Sequence, residues 1–256
     1  MTENPLLYHV ENQVATLTIN REKQRNSLTP QVIEQFMDCL DRAEADDHVR
    51  ALMVTGAGDK SFCSGADLGG AATKEGKVSF SRYADLLKRM TAYPKPTVAR
   101  INGYCLAGGM GFMLACDIVV ARETAKFGTP EVNVGLFPMM IGALIFRNVL
   151  QKKGMEMVLL GEKLTAQEAL EMGLVTRVVP SDQLDESVGR ILGSLIVKSP
   201  IGLRLGKEAF HHMSDMPLDE AVDYLSGKLA EVVSTEDAVE GITAFIEKRK
   251  PEFKGK

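Results

Sequence analysis

Apolar residues recur with two different periods along this chain. In the first half, short β-branched runs alternate with stretches at helical spacing. Val14-Ala15-Thr16-Leu17-Thr18-Ile19 reads as a strand. Residues 30–45 follow as a helix, with Thr29 as N-cap and Pro30 at the first helical position. Residues 51–55, 97–101 and 117–121 read as three more strands, and 81–91 as a helix between them. Strands that alternate with helices are joined by crossovers and lie parallel, so the pattern predicts an α/β core. Beyond about Pro180 only the helical period remains, over 182–197, 200–212, 218–233 and 236–250. The expected division is therefore an α/β core over 1–180 and a helical region over 181–256. Helices with apolar faces and no sheet to cover are expected to pack on a partner subunit.

Composition narrows the class of protein. The 256 residues are 45% apolar and 25% charged, as in ordinary globular chains large enough for a sizeable core. A net charge of -4 argues against sequence-independent nucleic-acid binding, while local Lys or Arg can still hold a small anion. Cys39, Cys63, Cys105 and Cys116 are scattered without a CxxC pair or metal-ligand spacing, and read as buried or free thiols of a reducing compartment. Residues 1–13 lack an apolar signal core, and no run approaches the roughly 20 apolar residues of a membrane span. A soluble cytoplasmic protein is expected. His9, His48, His211 and His212 fall outside every motif, and no Gly-x-Ser-x-Gly elbow is present.

Candidate chemistry gathers in glycine-rich turns. Gly56-Ala57-Gly58-Asp59-Lys60-Ser61 follows a strand but lacks the third glycine and the helix of a dinucleotide fingerprint. Ser64-Gly65-Ala66-Asp67-Leu68 forms a second turn. Gly103 to Gly111 is a third, between a strand and an apolar helix. Its glycines either relieve crowding in a tight turn or leave N–H groups free to meet negative charge at a helix N-terminus. Two such donors from separate loops would stabilise an oxyanion.

Phe62-Cys63-Ser64-Gly65-Ala66-Asp67-Leu68, Ile101-Asn102-Gly103-Tyr104, Ala107-Gly108-Gly109, Ala115-Cys116-Asp117-Ile118 and Phe127-Gly128-Thr129-Pro130-Glu131 together resemble the ordered signatures of the crotonase (enoyl-CoA hydratase/isomerase) superfamily. The likeness continues through Gly135, Pro138, Gly161 and Gly173 to 244–249, and so covers nearly the whole chain. It implies a spiral of ββα units with a C-terminal helical region used in forming trimers or paired trimers. It also implies a CoA thioester as substrate, with no separate cofactor. The backbone N–H groups of Ala66 and Gly108 would receive the thioester oxygen. Arg21, Ser64, Asp67, Leu68, Phe245 and Lys248 fall at positions that would contact the CoA. For Arg21 the match is weakened, because Glu22 replaces the motif's proline. Lys248 also reads as an ordinary cationic helix end.

The hydratases of this family use two glutamates. Here the Pro-Glu turn supplies Glu131, but the helix position holds Gly111, between Met110 and Phe112. One carboxylate beside an oxyanion hole suffices to move a proton between two carbons, so an enoyl-CoA isomerase is expected. The alternative is a hydratase with a second carboxylate, for which Glu75 and Asp85 are candidates. A third reading is a non-catalytic acyl-CoA or RNA-associated scaffold. Val132, Val134, Leu136, Phe137, Met139, Met140 and Ile141 are expected to give Glu131 an apolar setting that raises its pKa. Met139 and Met140, with Gly111, are the candidate acyl pocket, or else core filler.

Overall fold

A computed structural model describes residues 4–66 and 74–256, with 74–79 described by their backbone alone. Among these residues, ten strands form two sheets. The larger has the order β1 (Leu6–Glu11), β2 (Val14–Ile19), β3 (Ala51–Gly56), β5 (Thr97–Ile101), β7 (Ile118–Arg122) and β10 (Arg177–Val179). All its neighbours are parallel except the β1–β2 hairpin. The smaller has the order β4 (Ser61–Cys63), β6 (Tyr104–Leu106), β8 (Lys126–Gly128) and β9 (Leu164–Thr165). Its first three strands are parallel and β9 is antiparallel to β8. Successive pairs β3/β4, β5/β6 and β7/β8 give one strand to each sheet, which makes a spiral of ββα turns.

The sheets carry helices α1 (Pro30–Ala45), α2 (Lys74–Thr91), α3 (Gly108–Leu114), α4 (Met139–Asn148), α5 (Gln151–Leu160) and α6 (Ala166–Glu171). The Thr29 hydroxyl accepts from the Val32 N–H, so α1 starts where the sequence signals it. Its Val32, Ile33, Phe36, Leu40 and Ala43 meet Tyr83, Leu86, Leu87 and Met90 of α2 in one core. In α2 those four recur at i, i+3, i+4 and i+7, the stripe a buried helix face requires.

Four helices complete the chain: α7 (Leu184–Ile196), α8 (Pro200–Met213), α9 (Leu218–Val233) and α10 (Glu236–Glu247). The first departs from the expected tail with no sheet to cover. Leu184, Val188, Ile191 and Leu192 pack on Val14, Ala51, Val98 and Val120, covering the outer face of the larger sheet. Along α8 to α10, by contrast, Phe210, Leu218, Leu229, Ile242, Phe245 and Ile246 all stand exposed. The predicted strand over 117–121 begins one residue later. The Asp117 carboxylate instead accepts from the Thr97 N–H at 2.7 Å and its hydroxyl at 2.9 Å.

Candidate active site

Three turns at the C-terminal ends of neighbouring parallel strands carry the candidate residues. Ala66 follows β4, Gly108 follows β6 and Glu131 follows β8, in the order in which these strands stand side by side. Crevices at the carboxyl ends of parallel strands are where open α/β sheets bind ligands.

The Ala66 turn is held from behind. The Leu28 N–H donates to the Gly65 carbonyl at 2.8 Å, and the Ser64 N–H to the Arg25 carbonyl at 3.2 Å. Arg21 braces that supporting segment, one guanidinium nitrogen donating to the Ser27 carbonyl at 2.6 Å and hydroxyl at 2.7 Å. The buried Asn26 side chain adds bonds to the Ala57 and Ser61 carbonyls. Gly65 has φ +92, and a Cβ there would lie 3.0 Å from the Gly108 nitrogen, so the two turns abut.

Gly108 opens α3. The residue before it, Ala107, has φ 50 and ψ -129, a conformation that strains an L-residue by about 1–3 kcal/mol. The ψ of Ala107 sets the direction of the peptide that carries the Gly108 N–H. A Cβ on Gly108 would sit 3.6 Å from the Ala66 nitrogen and 3.5 Å from both Leu28 Cδ1 and Tyr83 Oη. The space over this glycine is therefore bounded by the two N–H-bearing turns, an aliphatic wall and a phenol.

Pro130 starts a short 3-10 helix over Pro130–Val134 that ends at Gly135 with φ 75. The Glu131 carbonyl accepts from the Leu136 N–H at 3.0 Å, which closes the turn. Burial pushes the Glu131 carboxyl above the usual carboxylate range, opposed in part by its own backbone N–H. Its Oε2 is buried and finds no hydrogen-bond partner among the described residues. An orphaned carboxylate oxygen costs free energy in the folded state, which is tolerated where the group has work to do.

Gly111 is enclosed. A Cβ there would collide with Tyr83 Oη and lie 2.8 Å from Ile141 Cγ2 and 3.1 Å from Leu87 Cδ2. The Tyr83 hydroxyl donates to the Gly108 carbonyl. Burial above all, and the Glu131 charge among others, hold this phenol well above its ordinary pKa. Sequence reasoning missed Tyr83. Its signal was a single tyrosine on the buried stripe of α2, whose polar tip had to find a partner.

Other candidates disperse. Asp85 bonds Lys88 at 2.6 Å on the surface, and this partner holds it below the usual carboxylate range, so it is no second carboxylate here. Asp67 and Leu68 lie outside the described residues, as does the side chain of Glu75. Met140 is partly buried against the core, whereas Met139 is 74% exposed. The apolar setting expected of the segment after Glu131 is only partly present within one chain, because Val134, Leu136 and Phe137 also face outward. Phe245 is 84% exposed on α10, and Lys248 caps that helix with φ 56. Arg21 lines a groove of about 790 Å3 with Asn20, Lys23 and Gln31. The four cysteines are buried free thiols, and burial pushes Cys63 and Cys116 up to about 12. No group of His, Cys, Asp or Glu among the described residues is arranged to hold a metal.

The model of the enoyl-CoA hydratase/isomerase family matches residues 9–256. The chain belongs to that family. Among enoyl-CoA hydratase/isomerase relatives, the 2,3-dehydroadipyl-CoA hydratase of Escherichia coli is 34% identical over 98% of this chain and 99% of its own. The 1,2-epoxyphenylacetyl-CoA isomerase of the same organism is also 34% identical, over 98% of each chain. The crystal structure of an enoyl-CoA hydratase from Bacillus anthracis superimposes with a TM-score of 0.94 at 32% identity, covering 98% of this chain and all of the other. The family thus includes both hydratase and isomerase names, and an acyl-CoA enzyme of that family is what this chain is.

Proposed function

We propose that this chain moves the double bond of an enoyl-CoA from the 3,4 to the 2,3 position. Glu131 removes a proton from C2, and the dienolate oxygen rests on the N–H groups of Ala66 and Gly108. Glu131 then returns the proton at C4, so the reaction is balanced without water or a cofactor. One observation carries the reading: an orphaned carboxylate oxygen on Glu131, in a site whose other carboxylate position, Gly111, is enclosed by Tyr83, Ile141 and Leu87. A carboxyl poised above its usual range suits a base that must both take and return a proton.

Arg21, Ser64, Asp67 and Leu68 would contact the CoA from one side, and Phe245 and Lys248 from a neighbouring subunit. Met139 and Met140 would meet the acyl chain, whereas Gly111 is closed off from it by Tyr83, Ile141 and Leu87. The exposed apolar side chains of the 181–256 helical region support its use as the contact surface of a homotrimer or a pair of trimers. Hydration of a 2-enoyl-CoA is the second reading, favoured by the likeness to the 2,3-dehydroadipyl-CoA hydratase of Escherichia coli. Steady-state assays on 3-enoyl-CoA and 2-enoyl-CoA separate the two. Fast hydration with negligible migration would overturn the isomerase reading, and binding of both thioesters with turnover of neither would favour a silent acyl-CoA binder.

A further inference from the structure

We propose that Tyr83 decides the outcome of the reaction by filling, with Ile141, the space beside Gly111 from which a second carboxylate and its water would act. The inference rests on Glu131 as the proton carrier and extends it to the residue that keeps Glu131 alone.

Tyr83 is 6% exposed and locked in place. Its ring packs against Phe112 with centroids 5.8 Å apart, and Phe112 in turn meets Phe36 in a tilted contact at 4.8 Å. Its hydroxyl sits where a side chain at 111 would begin, 3.5 Å from the position a Cβ on Gly108 would take. Tyr83 therefore reaches both the oxyanion turn and the vacant carboxylate position. A phenol has one hydrogen to give, and here it goes to the Gly108 carbonyl. The group cannot also donate to a water held for attack, and its charged form, the one able to activate such a water, is suppressed by burial. Ile141 closes the other side with a methyl group, which offers water nothing. The enclosure thus removes both the room and the polar partners that an attacking water requires.

The test is a set of variants at 83 and 111, assayed for migration of 3-enoyl-CoA and hydration of 2-enoyl-CoA, with each melting temperature recorded. Gly111→Glu alone is expected to be destabilised and to gain no hydration. Tyr83→Ala/Gly111→Glu is expected to hydrate at least tenfold faster than either single variant, with the ratio of migration to hydration falling accordingly. Gly111→Ala should lower the melting temperature far less in the Tyr83→Phe background than in the wild-type one. Hydration by Gly111→Glu as fast as by the double variant would overturn the proposal. So would a folded double variant that gains none, fast hydration by the wild type, or equal destabilisation by Gly111→Ala in both backgrounds. Absence of migration in the wild type, with hydration still gained by the double variant, would instead refute the isomerase reading and leave the gatekeeping by Tyr83 standing.

Discussion

Gly65 packs directly onto Ala107, so closely that a Cβ at 65 would lie 2.6 Å from the Ala107 Cβ. With φ at +92, Gly65 is also in a region that L side chains rarely adopt. Gly65→Ala is therefore expected to lose more than about 2 kcal/mol of stability in urea titration, since overlap adds to backbone strain. The two donor turns would be pushed apart, so activity in the folded fraction should fall as well. A stability change below about 0.5 kcal/mol would contradict this packing.

Gly108 behaves differently. A Cβ there meets only ordinary contact distances, so Gly108→Ala is expected to fold with a melting temperature close to that of the wild type. The methyl group would nevertheless stand between the Ala66 nitrogen and the Tyr83 hydroxyl, in the space assigned to the thioester oxygen. A loss of about 10²- to 10³-fold in kcat is expected, comparable to removing one oxyanion donor. Unchanged kcat in a stable variant would remove Gly108 from the oxyanion site.

Glu131 has opposite effects on activity and stability as pH changes. Its carboxyl titrates above the usual range because burial disfavours the charge. In kcat/KM, the acidic limb should therefore have its inflection above the ordinary glutamate value of about 4.3. For stability, the folded state binds the proton more tightly than the unfolded chain does. The associated cost is absent below the unfolded pKa and is complete once pH passes the folded one. Glu131→Gln should then match the wild type in melting temperature near pH 4, exceed it at pH 7, and be inactive in migration. Equal melting temperatures at both pH values would contradict the burial of this charge.

Arg21 has two separable roles to test. If it only braces the segment behind Ala66, Arg21→Ala lowers kcat equally for a CoA thioester and for a truncated thioester lacking the nucleotide. Contact with the CoA phosphates predicts in addition a KM rise for the CoA substrate alone, and that is the expected result. A uniform loss on both substrates would restrict Arg21 to its bonds with Ser27.

Long elements and the ordered glycine turns could be read from the chain, because β2, β3, β5 and α1 combine strong periodicity with clear end signals. The three-residue strands β4, β6 and β8 could not, since three residues carry no period. Leu6–Glu11 was hidden for another reason: its pairing with β2 leaves most of its side chains exposed. The positions of Glu131 and Gly111 were legible as a presence and an absence. What fills the absence was not, because Tyr83 lies 28 residues earlier and reaches Gly111 only through the packing of α2 on α3. The destination of Asp85 was equally hidden, being settled by which face of α2 turns outward.

The side-by-side order of β4, β6 and β8 turns the smaller sheet into a gauge. Neighbouring strands stand about 4.8 Å apart, which is close to the separation of two N–H donors that share one oxygen at about 2.9 Å each. The gap across the proposed oxyanion seat would thus be inherited from the peptide backbone rather than tuned by side chains. Point substitutions can block that seat or tilt it, but widening it for a larger acceptor would require changing the register between strands.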